Sequence, residues 1–445
     1  MDKPQVTLRK GVLGFWPTLS ASLGLVVCSS TLMMVVYGFA EVGPAFLVSM
    51  LIAGAIVLLF ALSVSELAVA MPRASSMGEY ARAALGPVAG IWQGILYFMV
   101  FTGLAAEAMV IGQITHYFWS ALAWQWYAVI FITIFYLINL FGIQLVGKVQ
   151  VALACFFTAV YGIGAIVQFA GGGIEPFSFA ALGSGFAPAG WSGVWVWAIV
   201  AIWLYAMVEA PAPLIEEIKT PAKTVPRAML TALVVIFGLQ ALIGLAAAGT
   251  LGSEASFATN FPHVMAGEAF FGTAGLAIFA IASIMATFAT FNAVMACTSR
   301  VLYGLGADGY LGKVIGYLHP KYQTPWTTLT IVWVLAIILA VVAESPLWVA
   351  SMDAFLFCMT YLAICVYTII LRNKRPDMER PFSCGGPFKA PIVPILGIIG
   401  TGTVMYFTIY FDVSVATVGL SIAAGAAVLS WLIWQFYAKN KVIKE

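Results

Sequence analysis

Ala206-Met207-Val208-Glu209-Ala210-Pro211-Ala212-Pro213 decides how this 445-residue chain is read. An acid and two prolines one residue apart lie inside a long apolar run. Proline has no backbone N–H, and its ring clashes with the carbonyl four residues back, so a helix is hard to continue through this stretch. A charged side chain at bilayer depth costs at least about 2.5–3.5 kcal/mol on insertion scales, and such groups face a cavity or a partner. The stretch therefore predicts a membrane helix interrupted near its middle, with an acid at the interruption.

The surrounding composition agrees. The chain is 62% hydrophobic and 9% charged, more apolar surface than a soluble fold of this length can bury. Apolar runs near the 18–20 residues needed to cross a hydrocarbon core recur throughout. They predict an all-α membrane protein of about twelve transmembrane helices, over 12–40, 43–71, 88–117, 126–142, 149–170, 193–218, 228–250, 272–298, 325–343, 347–371, 392–411 and 414–437. The short alternating segments of a membrane β-barrel do not occur. All 20 Lys and Arg residues fall at a terminus or in every second gap between runs, as cytoplasmic loops do. This predicts a multi-pass protein of the inner (plasma) membrane with both termini cytoplasmic and the lipid bilayer as its solvent. It leaves no basic surface for nucleic acid. Segments 171–192 and 251–271 are then outside, with 72–87 and 372–391 inside. The first apolar run continues into a full span, so a cleaved signal peptide is not expected. Six cysteines lie in spans or on the cytoplasmic side, the three histidines form no cluster, and no metal or other cofactor is expected.

The order of spans predicts two halves and an appendix: 1–170, 171–371, and a linker with two further helices over 372–445. Five spans in the first half would invert the second. Each half would begin with an interrupted helix, at Cys28-Ser29-Ser30-Thr31 after Gly24 and at 206–213. Such a pair marks the midplane site of a transporter. The two interruptions are expected to be non-helical at 29–31 and 206–210 and to face each other.

Four motifs carry a resemblance. They are Ser65-Glu66-Leu67-Ala68 to Pro72 with Gly78-Glu79-Tyr80; Trp203 to Glu209 with Glu216, Pro221, Lys223, Pro226 and Arg227; Asn292 with Ser299-Arg300-Val301-Leu302-Tyr303 and Ala307-Asp308-Gly309-Tyr310-Leu311; and Arg380-Pro381-Phe382 with Pro387 and Pro391. In this order the chain resembles the amino acid–polyamine–organocation transporter superfamily over nearly its whole length. The resemblance implies the leucine-transporter fold, an inverted five-plus-five repeat with two C-terminal helices. It also implies a secondary active transporter working by alternating access. Two departures stand out. Ser29, Ser30 and Thr31 replace the glycine-rich run whose bared N–H groups hold a substrate α-carboxylate in the family, and Met207 replaces a glycine of the sixth helix. The position of the lysine that stands in for sodium in some members is filled by about Phe157.

The expected site takes in Ser29, Ser30, Thr31, Glu107, Trp203 and Glu209, with Phe98, Phe101, Met207, Phe288, Phe291 and Asn292 as pocket wall. Glu107, in the apolar Phe101–Gln113 stretch, has no fixed base within any span, so a cation, a proton or a hydrogen-bond network must meet it. It is expected to act as a counter-ion, with Trp203 closing over the ligand and offering a cation–π face. Asn292 reads equally as a helix–helix hydrogen-bonding group. Arg300 and Asp308 at the inner mouth are expected to pair with Glu79 or Glu216. The expected function is transport of a small amine or amino acid, by exchange or coupled to a proton or sodium ion. A channel or transporter-like sensor is the alternative. A membrane enzyme is disfavoured, since no catalytic His-Cys, Ser-Lys or metal set lies within the spans.

Overall fold

Proline and glycine punctuate the helices. The computed structural model describes residues 7–26, 28–385, 391–411 and 413–439. In chain order the helices are α1 (Phe15–Val26), α2 (Ser29–Val42), α3 (Phe46–Ala70), α4 (Met77–Leu85), α5 (Pro87–Phe98), α6 (Phe101–Phe118), α7 (Trp124–Leu140) and α8 (Ile143–Phe169). They continue as α9 (Gly190–Val200), α10 (Pro221–Phe257), α11 (Pro262–Ala307), α12 (Trp326–Val342), α13 (Pro346–Lys374), α14 (Ile392–Phe411) and α15 (Val413–Ile433). Helices α5, α10, α11 and α13 each start on a proline, whose missing N–H would be an orphan in the first turn anyway. Among the described residues there is no strand, only an isolated bridge between Leu13 and Ile218.

Eight helical segments among the described residues are long and apolar enough to cross a membrane, and three shorter apolar ones cover 124–140, 190–205 and 326–342. The segment 29–70 counts once but holds both α2 and α3, joined by a 3-10 turn at Gly43–Ala45. Large apolar side chains such as Leu51, Ile134, Ile163, Val234, Ile338 and Ile399 point outward. That outer face is stable only against lipid tails.

Inside, small residues bring backbones together, the usual device where lipid removes the hydrophobic drive for helix pairing. A β-carbon added at Gly244 of α10 would lie 1.9 Å from Val35 of α2. Buried polar groups complete the crossings: Gln150 of α8 donates to the Ser20 carbonyl of α1 (3.0 Å), and Ser49 of α3 to Val194 of α9 (2.7 Å). Within the expected inner loop 72–87, Met77–Leu85 form the helix α4. The segment 251–271 folds as two short helical pieces bent at Gly252 and at Phe271-Gly272.

The motifs of the resemblance meet in space. Glu66 is buried and pairs with Arg372 (2.6 Å) and Arg380 (3.2 Å), and it accepts the Cys384 N–H (2.8 Å). The linker before α14 is thereby tied to α3. Arg300 pairs with Glu217 in a buried bidentate contact and also donates to the Ala296 carbonyl (2.9 Å). This corrects the expected pairing with Glu79 or Glu216. Glu217 is the nearer acid because the 3-10 turn Ile215–Glu217 turns it inward. Asp308 instead takes Arg73 (3.2 Å) and Ser75 (2.9 Å), Glu79 takes Arg82, and Glu216 caps the Ala74 N–H (2.8 Å). Burial pushes the Asp308 carboxyl above its ordinary value, opposed by Ser75 and Arg73. These contacts tie the segment between α3 and α4 to the end of α11 and the Ile215–Glu217 turn.

Candidate functional site

Two helix interruptions face each other, as expected, but the first lies one step earlier than the hydroxyl run. Cys28 is extended (φ −128°, ψ 176°) between α1 and α2, and Ser29-Ser30-Thr31 form the first turn of α2. Val27 lies outside the described residues. The shift has a local cause: Ser and Thr are good residues for a helix N-terminus because their oxygens take its orphan N–H groups. Thr31 accepts the Cys28 N–H (3.0 Å) and Thr287 accepts the Ser29 N–H (3.1 Å).

The second interruption runs through 201–220, where no α-helix forms. Short i to i+3 bonds replace the helical ladder, among them Ala210 N to Met207 O (3.0 Å) and Ala212 N to Glu209 O (2.8 Å). Side chains satisfy freed backbone groups, as an apolar surrounding demands. Ser22 donates to Val208 O (2.8 Å), Cys297 to Ala210 O (3.3 Å) and Gln240 to Leu204 O (3.3 Å), while Tyr361 accepts the Met207 N–H (3.0 Å). Met207 holds φ +65°, a left-handed conformation that favours glycine.

Between the interruptions lies a small cavity lined by Cys28, Thr31, Gly103, Glu107, Trp203 and Met207, and also by Thr290, Asp353 and Phe357. Its volume is about 20 Å³, close to what one water needs. Trp203 donates from Nε1 to Ser30 Oγ (3.3 Å), closing the gap between the two interruptions. On the other side of Ser30 a wider cavity of about 320 Å³ is bordered by Met33, Tyr37, Gln113, Asn260 and Glu344.

Glu107 is buried and both of its oxygens are engaged. Cys28 Sγ donates to Oε1 (3.2 Å) and Thr287 Oγ1 to Oε2 (3.2 Å). Glu107 thus occupies the N-terminus of α2, where the helix dipole and free N–H groups favour an anion. From Thr287 a chain of hydroxyls continues through Ser29 (2.8 Å) and Ser283 (2.7 Å) to His263 Nε2 (2.8 Å). His263 is buried here, deeper than its place near a span end implies.

Other expected residues are not on the cavity wall. Glu209 is clamped by Tyr97 and Tyr361 (both 3.3 Å), which fixes the second interruption to α5 and α13. Ser29 points to α11. Phe98 and Phe101 pack on each other at the step between α5 and α6, and Phe288 and Phe291 pack with Phe135 of α7. Asn292 links α7, α8 and α11 through Asn139 (3.2 Å), Gln150 (2.8 Å) and Val146 O (2.9 Å). Aromatic and amide residues on an inner helix face are as useful for packing as for ligand contact, and sequence spacing does not separate the two. Asp353 of α13 is absent from the expected set, yet it lines the cavity. Its signal, an acid in an apolar run, is the same as that of Glu107. Among the described residues no three His, Cys, Asp or Glu side chains gather to hold a metal ion.

Residues 13–436 match the family described as amino acid permease. Three relatives from Bacillus subtilis (strain 168) are similar over most of their length. The Glutamate/serine transporter AimA is 24% identical over 432 residues, 89% of this chain and 77% of that protein. The Branched-chain amino acid permease BcaP is 23% identical over 423 residues, 88% and 86% of the two chains. The Serine/threonine exchanger SteT is 23% identical over 453 residues, 94% and 95%.

Proposed function

The chain belongs to the amino acid permease family, and on that footing we propose that it carries a small amino acid or amine across the plasma membrane by alternating access. The family and the relatives are transporters, not enzymes. One observation carries the reading: two interrupted helices, at Cys28 and at 201–220, border a small cavity that two buried acids, Glu107 and Asp353, also line, deep in an apolar bundle. Irregular backbone at that depth is tolerated where it lines a cavity or is buried in protein, and such paired breaks are where transporters of this kind bind their cargo.

The finer architecture goes with it. Helices α1/α2, α3, α5/α6, α7 and α8 make the first five crossings. The α9 segment, α10, α11, α12 and α13 make the inverted second five, and α14 and α15 complete twelve. The halves are 1–170 and 171–371, with 372–445 appended and both termini cytoplasmic. Cys28, Thr31, Trp203 and Met207 surround the cargo. Ser30 holds Trp203 as a lid, and Ser29 and Glu209 steady the two breaks. Arg300–Glu217 and Asp308–Arg73 then seal the cytoplasmic mouth while the wider cavity beyond Ser30 serves the outer side. Either exchange, or uptake coupled to a proton or sodium ion, drives the cycle.

Counter-transport in proteoliposomes tests this. Vesicles preloaded with unlabelled L-serine, L-threonine, L-leucine or L-glutamate should take up the same labelled compound transiently, above its external concentration. Uptake that is linear in concentration and indifferent to preloading contradicts a carrier.

A further inference from the structure

Asp353 is 1% exposed and lines the cavity between the two interruptions. Thr102 Oγ1 donates to its Oδ1 (3.0 Å). Its Oδ2 has no hydrogen-bond partner among the described residues, and none of the ion pairs found there includes it. Buried polar atoms are almost always bonded, and leaving one unbonded is unfavourable, more so for a carboxylate. Glu107, on the same cavity, has protein donors on both oxygens. Asp353 is therefore the acid of this cavity with an open oxygen.

That oxygen packs closely against the Gly103 backbone, and both residues line the cavity. A β-carbon at Gly103 would stand 2.5 Å from Asp353 Oδ2 and 3.9 Å from the Trp203 ring. Asp353, Gly103 and the indole of Trp203 all line this one small cavity. What fits is a compact cation with hydrogen-bond donors: it can bond Oδ2 and lie against the aromatic face. We propose that Asp353, Gly103 and Trp203 form a subsite for the primary ammonium group of the transported molecule. The counter-ion expected of Glu107 is supplied by Asp353 instead. Because Glu107 already fills the N-terminus of α2, this subsite makes no demand for an α-carboxylate, and the decarboxylated amine of a bound amino acid should bind as well.

The assignment to cargo rests on the transport reading, but the subsite can be tested apart from it. The purified full chain is followed by thermal unfolding with methylammonium, ethanolamine, L-serine and sodium ion, in wild type, Asp353→Asn and Gly103→Ala. A ligand that binds the native state raises apparent stability according to its affinity. Wild type should be stabilised by methylammonium and ethanolamine. Loss of a charge-assisted bond should weaken them about 10- to 100-fold in Asp353→Asn. That variant should unfold, without ligand, at or above the wild-type temperature. Gly103→Ala, which keeps the charge but forces Asp353 Oδ2 out of its place on the cavity, should lose the same ligands. Stabilisation by the amines without transport of any amino acid keeps the subsite and removes the proposed cargo. Equal amine binding in Asp353→Asn overturns the subsite. So does an Asp353-dependent response to sodium alone, or no response of wild type to any amine.

Discussion

Met207 and Glu107 show how single residues reshape a shared scaffold. Met207 adopts φ +65° where the resemblance implies glycine, and its side chain reaches the cavity. A left-handed residue with a β-carbon is strained by about 1–2 kcal/mol. Glycine there would relieve the strain but give the unfolded chain more freedom, worth up to about 1 kcal/mol in the opposite sense. Met207 is also buried in the core, and deleting a buried Met side chain costs about 2–5 kcal/mol, so Met207→Gly should lower stability while opening the cavity. L-Leucine and L-phenylalanine should then compete better against the wild-type cargo in exchange assays, and unchanged competition would show that Met207 does not limit cargo size. Glu107 was legible in sequence as an acid without a base. Its engagement at the start of α2 was not, because that depends on Cys28 and Thr287, 79 and 180 residues away. Glu107→Gln puts an amide where hydroxyl and thiol donors point, so it should lower thermal stability as well as binding.

At the scale of elements, the interruptions and caps were readable and the cross-links were not. Pro211 and Pro213 announce the break after α9. The first break was harder to place, because Ser29-Ser30-Thr31 suits a helix start as well as an irregular segment. The step at Met99-Val100 between α5 and α6 carries no proline and no glycine, and nothing local predicts it. Which acid meets Arg300 was also beyond local reading, since Glu216 and Glu217 are adjacent and only the 3-10 turn selects one. That pair is fully buried. Removing one partner of such a pair leaves an uncompensated charge and costs about 3–5 kcal/mol. Arg300→Met should thus unfold at markedly lower temperature than wild type. Adding Glu217→Leu should restore much of the loss, while loosening the inner mouth, seen as faster leak of preloaded label. A double variant no more stable than Arg300→Met would argue against the pair as the source of the effect.

Over the whole molecule, the apolar runs and the placement of basic residues made the class and helical order legible. The four motifs made the family legible because they meet: Glu66 with Arg372 and Arg380, Arg300 beside the second interruption. The cavity itself was legible only in part, since Asp353, Thr290 and Phe357 come from helices far along the chain. The central claim is that this cavity opens in turn to either side of the membrane around an amine-bearing cargo. Cys28 lines it, and this suggests the most direct measurement. In a chain whose other five cysteines are replaced, a small impermeant thiol reagent is applied to right-side-out and to inside-out vesicles. Cys28 should react from both sides, and saturating cargo identified by counter-transport should slow both reactions. Reaction from one side only, or labelling that the cargo leaves unchanged, would contradict alternating access at this site.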